Sequence, residues 1–246
     1  TCTIHHDNIV YLGRRIRIFH KDAIIFIHHE CYIRFFGIRK FLAKKKWDEN
    51  VYCGMKMEDR KVTFPQVQTI LNGINVPNVQ LDDIQAILNM RDAWKFLLNT
   101  VSEEVTFEYW CKLNEYIARN EALEWGKLRT GTVGISGTDY EPPVPEKKKV
   151  VNELNDILDD TNTSATDKAL KTFIWGTRGQ FFWDGNKRTS LLLSNKILLS
   201  AGAGIMTITD KYMEQFNFLL LNYYNTGAAE KLKQFLYENA IQGMKI

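Results

Sequence analysis

The sequence predicts an all-α domain interrupted by one short β-hairpin flap, and three observations support this. From residue 47 onward, apolar residues recur mostly three and four positions apart, the period of an amphipathic helix. Ser190 to Leu199 is apolar on nearly every side, which is typical of a helix at the centre of a bundle. One stretch, Arg129 to Pro145, is too rich in glycine and proline to be helical.

The individual helices follow from the spacing of their apolar residues and from signals at their N-termini. Apolar residues at helical spacing occupy Ile84 to Leu98, Trp110 to Ile117, Phe216 to Tyr223 and Leu232 to Leu236. Asp82 and Asp83 fall in the first turn of one predicted helix, and Thr209-Asp210 opens another. In the interruption, three glycines precede three prolines, which predicts a hairpin or flap followed by an extended turn.

Residues 1–46 form a basic N-terminal arm of unknown role. They carry ten Lys and Arg against three Asp and Glu, a net charge of +7, which leaves −4 for the remaining chain. Such an arm attracts nucleic acid or an anionic membrane, or it is the solvated face of a helix packed on the main body. Interleaved Ile and Phe favour the helix, so no nucleic-acid partner is expected.

Composition places the chain among soluble globular proteins. Hydrophobic residues make up 45% and charged residues 25%, which rules out wholesale disorder. No run approaches the roughly 18–20 apolar residues of a membrane span, and no signal-peptide layout is present. The four scattered cysteines favour neither a disulfide framework nor zinc, so a cytoplasmic location is expected.

The segment that carries chemistry is residues 180–190, Gln-Phe-Phe-Trp-Asp-Gly-Asn-Lys-Arg-Thr-Ser, between two helical segments. Gly185 and Asn186 suit a tight loop, and the following helix directs its free N–H groups and positive dipole end at that loop. Lys187 and Arg188 add positive charge, and Asp184 suits a Mg²⁺ that bridges phosphates. The alternative is a surface loop in which Asp and Arg pair with each other. We expect a polyphosphate site, although the common Walker and dinucleotide patterns are absent.

Phe182 to Thr189 resembles the signature loop of the Fic/Doc (Fido) family, whose pattern is His-Pro-Phe-x-Asp/Glu-Gly-Asn-Gly/Lys-Arg. Leu128 to Ile135 is similar to the flap of that family. Upstream similarity to longer Fic proteins occurs at Val62 to Val67, Leu71 to Gly73 and Ile87 to Trp94. The resemblance thus covers roughly residues 47–246 and implies a Fic-type helical bundle. It divides the chain into the arm (1–46), an N-terminal helical part (47–125) and a Fic core (126–246).

The resemblance implies a transferase that moves AMP from ATP to a Ser, Thr or Tyr hydroxyl of a protein, or phosphate in the Doc branch. Asp184 is then the Mg²⁺ ligand. The phosphate contacts are Gly185, Asn186, Lys187 and Arg188, and the flap that clamps the target comprises Arg129, Thr130, Gly131, Thr132 and Val133. Position 180 and Arg188 are the catalytic positions. The expected partners are ATP and a protein substrate; no oligomeric state is predicted.

The chain departs from the family pattern at three positions. Gln180 stands where the pattern has its His, and a carboxamide orients a hydroxyl but does not accept its proton. Loss of a general base costs on the order of 10²–10⁴ in rate, and no His follows His29. Phe181 replaces Pro, and Leu191 replaces the second Arg of adenylyltransferase members. Lys187 without a second Arg is closer to the Doc-type loop.

Longer Fic proteins also carry an inhibitory helix with the pattern [Ser/Thr]-x-x-x-Glu-[Gly/Asn], for which two alignments compete here. Gly54 to Asp59 places Glu58 at the Glu but lacks both flanking residue types. Gln68 to Gly73 keeps the Gly and puts Asn72 at the Glu. Glu58 is the candidate inhibitory residue. Because the Arg that pairs with this Glu in the family is Leu191 here, a solvent-facing helix Glu is the favoured interpretation.

Three functions remain after this reasoning. The first is a Mg-ATP-binding AMP-transferase scaffold, a pseudoenzyme impaired by Gln180. The second is an active enzyme in which Gln180 positions the hydroxyl and another group or water removes the proton. The third is a non-catalytic module in which flap and arm bind protein or nucleic acid.

Overall fold

A computed structural model describes residues 46–242 with their side chains. In the N-terminal arm it describes the backbone of three strands: β1 (Ile9–Leu12), β2 (Arg15–His20) and β3 (Ala23–His28). The five histidines, Cys2 and Cys31 lie outside the residues whose side chains are described.

The three strands of the arm form an antiparallel sheet in the order β1-β2-β3. The helix expected for the arm is therefore wrong over residues 9–28. The sequence there alternates β-branched and aromatic residues with charged ones, as in Arg15-Ile16-Arg17-Ile18-Phe19, which is the period of a strand. Only two residues separate neighbouring strands, the usual length of a hairpin connection.

The all-α prediction for the main body is confirmed. Its helices are α1 (Trp47–Lys56), α2 (Phe64–Leu71), α3 (Leu81–Asn99), α4 (Phe107–Ala118), α5 (Lys147–Asp159), α6 (Ala165–Gly179), α7 (Asn186–Ala201), α8 (Met213–Thr226) and α9 (Glu230–Asn239). A 3-10 turn (Asp210–Tyr212) precedes α8, and strands β4 (Ile205–Met206) and β5 (Ile241–Gln242) pair antiparallel.

Helix α7 lies at the centre of the bundle, as its apolar sequence predicts. Thirteen of its sixteen residues are buried, and it packs against α3, α4 and α6. One continuous hydrophobic core runs from Val51 in α1 to Ala240 after α9, so the sequence on either side of residue 125 shares that core. The start of this central helix is consequently held from several sides.

Local signals explain where the helices begin. Asp82 and Asp83 occupy the first turn of α3, as predicted, where they favour the positive end of the helix dipole. Thr63 and Gln66 form a reciprocal capping box at the start of α2. Within residues 46–242, no helix has the length and apolar character needed to cross a membrane.

Candidate functional site

The signature loop joins α6 to α7 and is held in shape by the side chain of Asn186. Its amide oxygen accepts from the Phe182 N–H at 2.9 Å, and its amide nitrogen donates to the Phe182 carbonyl at 2.9 Å. Asn186, a predicted phosphate contact, is 6% exposed, and its side chain instead holds the loop together. The side chain of Asn186 thus ties the loop to the first residue of α7.

Gln180, at the His position of the pattern, ends α6 in the left-handed region, with φ 44° and ψ 52°. Its Nε2 donates to the Thr177 carbonyl at 2.7 Å, and its Oε1 accepts from Asn186 Nδ2 at 3.1 Å. Both ends of the carboxamide are therefore bound to the protein. This arrangement makes Gln180 part of the loop scaffold.

Phe181, at the Pro position of the pattern, packs in an aromatic floor beneath the loop. Its ring centroid lies 4.4 Å from that of Trp175 and 5.4 Å from that of Trp110. Phe182 lies 4.7 Å from Trp110 in an edge-on arrangement. Buried aromatic packing thus provides the rigidity that a proline would give.

The N-terminus of α7 has the geometry of an anion site. Gly185 precedes it at φ 72°, and a Cβ there would lie 2.6 Å from Ile117 Cγ2, so glycine is required on both counts. Within the described residues, no acceptor contacts the N–H groups of residues 186–188. These N–H groups and the helix dipole favour a bound phosphate.

Asp184 is the exposed carboxylate of the loop, with a side chain 47% exposed. Its Oδ1 accepts from the Gly185 N–H at 2.5 Å and lies 3.9 Å from Arg188 Nη2. Asn114 of α4 donates to the Asp184 carbonyl at 3.0 Å and fixes the loop from below. The second carboxylate oxygen stays available to a cation.

The carboxylate of Glu58, which follows α1, forms ion pairs with both cations of the loop, Lys187 and Arg188. The Lys187 Nζ lies 3.0 Å from Glu58 Oε2, and the Arg188 Nε lies 3.5 Å from Glu58 Oε1. The side chain of Glu58 is 19% exposed, so the solvent-facing interpretation is wrong. The next residue, Asp59, has φ 54°, a conformation natural to the Gly or Asn of the inhibitory pattern.

The competing alignment of that pattern falls elsewhere. Asn72 and Gly73 end α2 on the exposed surface. Leu191, at the position of the second Arg, is 2% exposed and belongs to the core. The carboxylate of Glu58 therefore meets Lys187 and Arg188 in place of a second Arg.

A second carboxylate, which the sequence did not single out, holds Arg188 from the other side. Glu121 accepts from Arg188 Nη1 at 3.1 and 3.2 Å, and its side chain is 6% exposed. Arg60 Nη2 donates to Glu121 at 2.6 Å, and its Nη1 donates to Asp83 at 2.9 Å. Asn89 Nδ2 adds a further donor at 2.9 Å. Glu121 thus has three donors.

The charge of Arg188 is fixed by these neighbours. Burial by itself lowers the pKa of the guanidinium, but Glu58, Glu121 and Asp184 outweigh it, so the pKa is raised. Arg188 is 1% exposed, and its Nε has no hydrogen-bond partner of good geometry within the described residues. Its neighbour is Glu58 Oε1 at 3.5 Å, an ion-pair contact that falls short of a hydrogen bond.

A second buried group without a partner lies nearby. The Tyr224 hydroxyl on α8 has no hydrogen-bond partner within the described residues. Burial raises the pKa of this phenol and the neighbouring Glu58 raises it further, which outweighs the lowering by the nearby Gln180 side chain. Tyr224 therefore stays protonated and acts as a donor at neutral pH.

The predicted flap lies over the loop as an extended segment that turns at Ser136–Gly137, without a ladder of paired strands. Its backbone meets the loop where the Arg129 N–H donates to the Phe181 carbonyl at 2.9 Å. A Cβ at Gly131 would lie 2.7 Å from the Trp183 ring, so glycine permits this close approach.

The predicted clamp residues differ in accessibility. Thr130 and Thr132 are exposed, Gly131 and Val133 are partly buried, and Arg129 is 1% exposed. No hydrogen bond of the described residues uses the backbone N–H or C=O groups of residues 132–134. This part of the flap is an unpaired edge.

Several positioning residues escaped sequence reasoning because a single polar residue in an apolar helix carries little signal. Asn114 lies within the apolar repeat of α4 and Asn89 within that of α3, and both are fully buried. Glu121 lies in an irregular loop after α4. These residues are distant from the signature loop in sequence and come near it only in the folded chain.

Comparison with known proteins identifies the domain. Residues 104–198 match the model of the Fic/DOC family. The chain is 26% identical over 176 residues to protein adenylyltransferase Fic from Nematostella vectensis, covering 66% of this chain and 40% of the relative. It is 27% identical over 164 residues to protein adenylyltransferase fic-1 from Caenorhabditis briggsae, covering 62% of this chain and 32% of the relative. The chain therefore spans less than half the length of these relatives.

Solved structures show the same fold. Fic-1 from C. elegans superposes with a TM-score of 0.67 at 21% identity, covering 78% of this chain and 58% of that one. A Fic domain containing signaling protein from Bacteroides thetaiotaomicron gives 0.67 at 16% identity, covering 85% and 84%. These structures show the fold, and the family match over residues 104–198 identifies a Fic/DOC-family domain within the chain.

Proposed function

We propose that the chain is a Fic-type protein AMP-transferase scaffold that binds Mg-ATP and presents it to a protein hydroxyl, with catalysis impaired at Gln180. The observation that carries the proposal is the N-terminus of α7, where the N–H groups of residues 186–188 have no acceptor among the described residues and the first turn carries Lys187 and Arg188. The relatives named protein adenylyltransferase support AMP as the transferred group.

The phosphates of ATP would bind at the loop. The N–H groups of residues 186–188 offer backbone donors, and Lys187 and Arg188 offer charge. The Tyr224 hydroxyl, which has no hydrogen-bond partner of good geometry in the described residues, is one more donor, and Arg188 Nε becomes another when the Glu58 carboxylate moves away. Such donors match the acceptor-rich surface of a polyphosphate.

Asp184 fits the role of Mg²⁺ ligand. One carboxylate with a free oxygen suits Mg²⁺, which is usually held by one or two carboxylates together with substrate phosphates and water. Mg²⁺ bound there would neutralise phosphate charge. All other contacts to the nucleotide and the target would come from side chains and backbone groups of the chain.

The target would add to the flap as an extended strand. The unpaired backbone of residues 132–134 offers donors and acceptors to such a strand, and Thr132 and Gly134 are exposed. The bound hydroxyl then approaches position 180. Gln180 accepts no proton, its carboxamide is held by Thr177 and Asn186, and Tyr224 stays protonated. Transfer by the unaltered chain is therefore expected to be slow.

Glu58 is proposed as an inhibitory residue of this scaffold. Its carboxylate lies on the two cations that the phosphates require, so nucleotide and Glu58 compete. The alternative activity, Doc-like transfer of phosphate, is favoured by Lys187 and by the apolar Leu191, which leave the outer phosphates without a second Arg. A cytoplasmic location fits either activity.

The test is transfer from ATP labelled at the α- or the γ-phosphate, with the unaltered chain and Gln180→His compared in cell extract. We expect α-label on protein with Gln180→His, and little or none with the unaltered chain. Label from the γ-phosphate alone would establish the Doc-like reaction. The double variant Gln180→His/Asp184→Ala is the matched control and should transfer nothing. If calorimetry shows that neither the unaltered chain nor Glu58→Ala binds Mg-ATP, both activities are contradicted and a binding module is favoured.

A further inference from the structure

Arg129 stands at the base of the flap, where the sequence predicted a contact to the target. Its guanidinium is 1% exposed and therefore does not face a bound protein. Its hydrogen-bond partners are all backbone carbonyl oxygens. This set of partners is unusual for a buried cation, which is ordinarily paired with a carboxylate.

The carbonyls come from three separate parts of the chain. Arg129 Nε donates to the Gln180 carbonyl at 2.5 Å. Its Nη1 donates to Gly131 at the start of the flap, and its Nη2 donates to Pro142 at 3.0 Å and Pro143 at 2.6 Å at the flap's end. One side chain thus joins both ends of the flap to the residue at the position of the missing base.

We propose that Arg129 is a positioning residue that sets the flap, and hence the acceptor hydroxyl, at a fixed distance from position 180. The inference rests on the proposed transferase function and assigns Arg129 a role within it. It replaces the expectation that Arg129 contacts the target.

The electrostatics of the site support this role. Gln180 is the C-terminal cap of α6, where unpaired carbonyls and the negative end of the helix dipole stabilise a cation. Gln180 also has a positive φ, a conformation that its surroundings must hold in place. The guanidinium supplies both the charge for the helix end and the hydrogen bond that fixes the Gln180 carbonyl.

Only the planar fork of arginine fits these acceptors. Its N–H groups diverge in a plane and reach carbonyls on opposite sides, whereas the ammonium of lysine concentrates its donors at one point. Arg129→Lys therefore keeps the charge but cannot join all three segments. Arg119, which is 43% exposed and 3.7 Å from Asp92, offers the same substitution at a surface pair as a matched control.

The experiment compares Arg129→Lys and Arg119→Lys, each in the unaltered chain and with Gln180→His. We expect the hydrogen-bonded amides of residues 129, 138 and 140 to exchange hydrogen at least tenfold faster in Arg129→Lys, with exchange in α3 and α7 unchanged. The Kd for Mg-ATP should stay within twofold. In the Gln180→His background, label transfer should fall at least tenfold, while Arg119→Lys changes none of these values.

Two results would overturn the inference. Unchanged flap exchange in Arg129→Lys would show that the flap is positioned otherwise, and equal acceleration in all helices would show a role in folding alone. If Gln180→His transfers no label, the proposed function fails, and the exchange measurement still decides the role of Arg129. Should Arg129→Lys not fold, ¹⁵N NMR of the unaltered chain replaces it. Separate Nη signals for Arg129 would support a guanidinium held by its carbonyl acceptors, and rotationally averaged signals would refute it.

Discussion

Replacing Glu58 with alanine should tighten binding of Mg-ATP, because this carboxylate occupies the cations that phosphates need. The Glu58 oxygens lie 3.0 Å from Lys187 Nζ and 3.5 Å from Arg188 Nε. A phosphate can form a hydrogen bond with either nitrogen only after the Glu58 carboxylate has moved away. The free energy of breaking these two contacts is therefore subtracted from that of nucleotide binding.

The size of the effect follows from burial. The side chains of Glu58, Lys187 and Arg188 are 19%, 24% and 1% exposed, so water screens the two contacts less than a surface pair. A hydrogen bond to a charged group contributes about 1.5–3 kcal/mol. The second contact is long and adds little. A gain of about 1.5–3 kcal/mol in binding corresponds to roughly a 10- to 150-fold lower Kd.

Calorimetric titration with a non-hydrolysable ATP analogue and Mg²⁺ measures this gain directly. Glu104, which is exposed and makes no ion pair within the described residues, gives the matched control Glu104→Ala. Equal Kd values for the unaltered chain, Glu58→Ala and Glu104→Ala would refute the competition between Glu58 and phosphate.

Three other substitutions test the framework of the site. Gly185→Ala should cost about 2 kcal/mol of folding free energy in urea unfolding, because alanine meets positive φ and a 2.6 Å contact with Ile117. Lys196→Met should cost about 3 kcal/mol, since the amino group of the fully buried Lys196 donates to three carbonyls in residues 100–103, which methionine leaves without a donor. Burial lowers the pKa of Lys196 to about 8, so the unfolded chain binds more protons than the folded one between pH 8 and 10.5. The advantage of the unaltered chain over Lys196→Met should therefore grow as pH rises through that window. Asp184→Asn should abolish the Mg²⁺-dependent part of ATP affinity and leave affinity in EDTA unchanged.

The fold was largely predictable because helix-forming signals in this chain are local. The apolar period of α3, the acidic first turn at Asp82 and the apolar surround of α7 all act over a few residues. The sheet of the arm was missed because interleaved charges and apolar residues were interpreted as a helix face. The two-residue period is present in Arg15 to Phe19, but interleaved Ile, Phe and charged residues also suit the buried side of a helix with a charged outer face.

The site was predictable only in its contiguous part. The loop from Gln180 to Arg188 is a single segment, so its residue types were sufficient to indicate an anion site. Glu58 and Arg129 were assigned the wrong surroundings, exposed in one case and facing the target in the other. Burial of a charged side chain depends on partners from other segments, such as the Pro142 carbonyl for Arg129. No local sequence pattern indicates which partners these are.

Arg188 lies between two carboxylates, and the structure indicates which of them yields to nucleotide. Glu121 accepts from Arg60, Asn89 and Arg188, and its side chain is 6% exposed. Glu58 contacts only Lys187 and Arg188 among the ion pairs of the described residues, and it lies in a short turn after α1.

The two carboxylates should therefore respond in opposite directions when each is replaced by glutamine. Glu58→Gln removes the competitor and should tighten Mg-ATP binding. Glu121→Gln leaves the buried Arg188 and Arg60 guanidiniums undercompensated, so both folding stability and ATP affinity should fall, because Arg188 loses the group that orients it. Parallel changes in both variants, in either direction, would mean that the two carboxylates act on Arg188 alike. Opposite changes would identify Glu58 as the movable ligand of Arg188 and Glu121 as its fixed support.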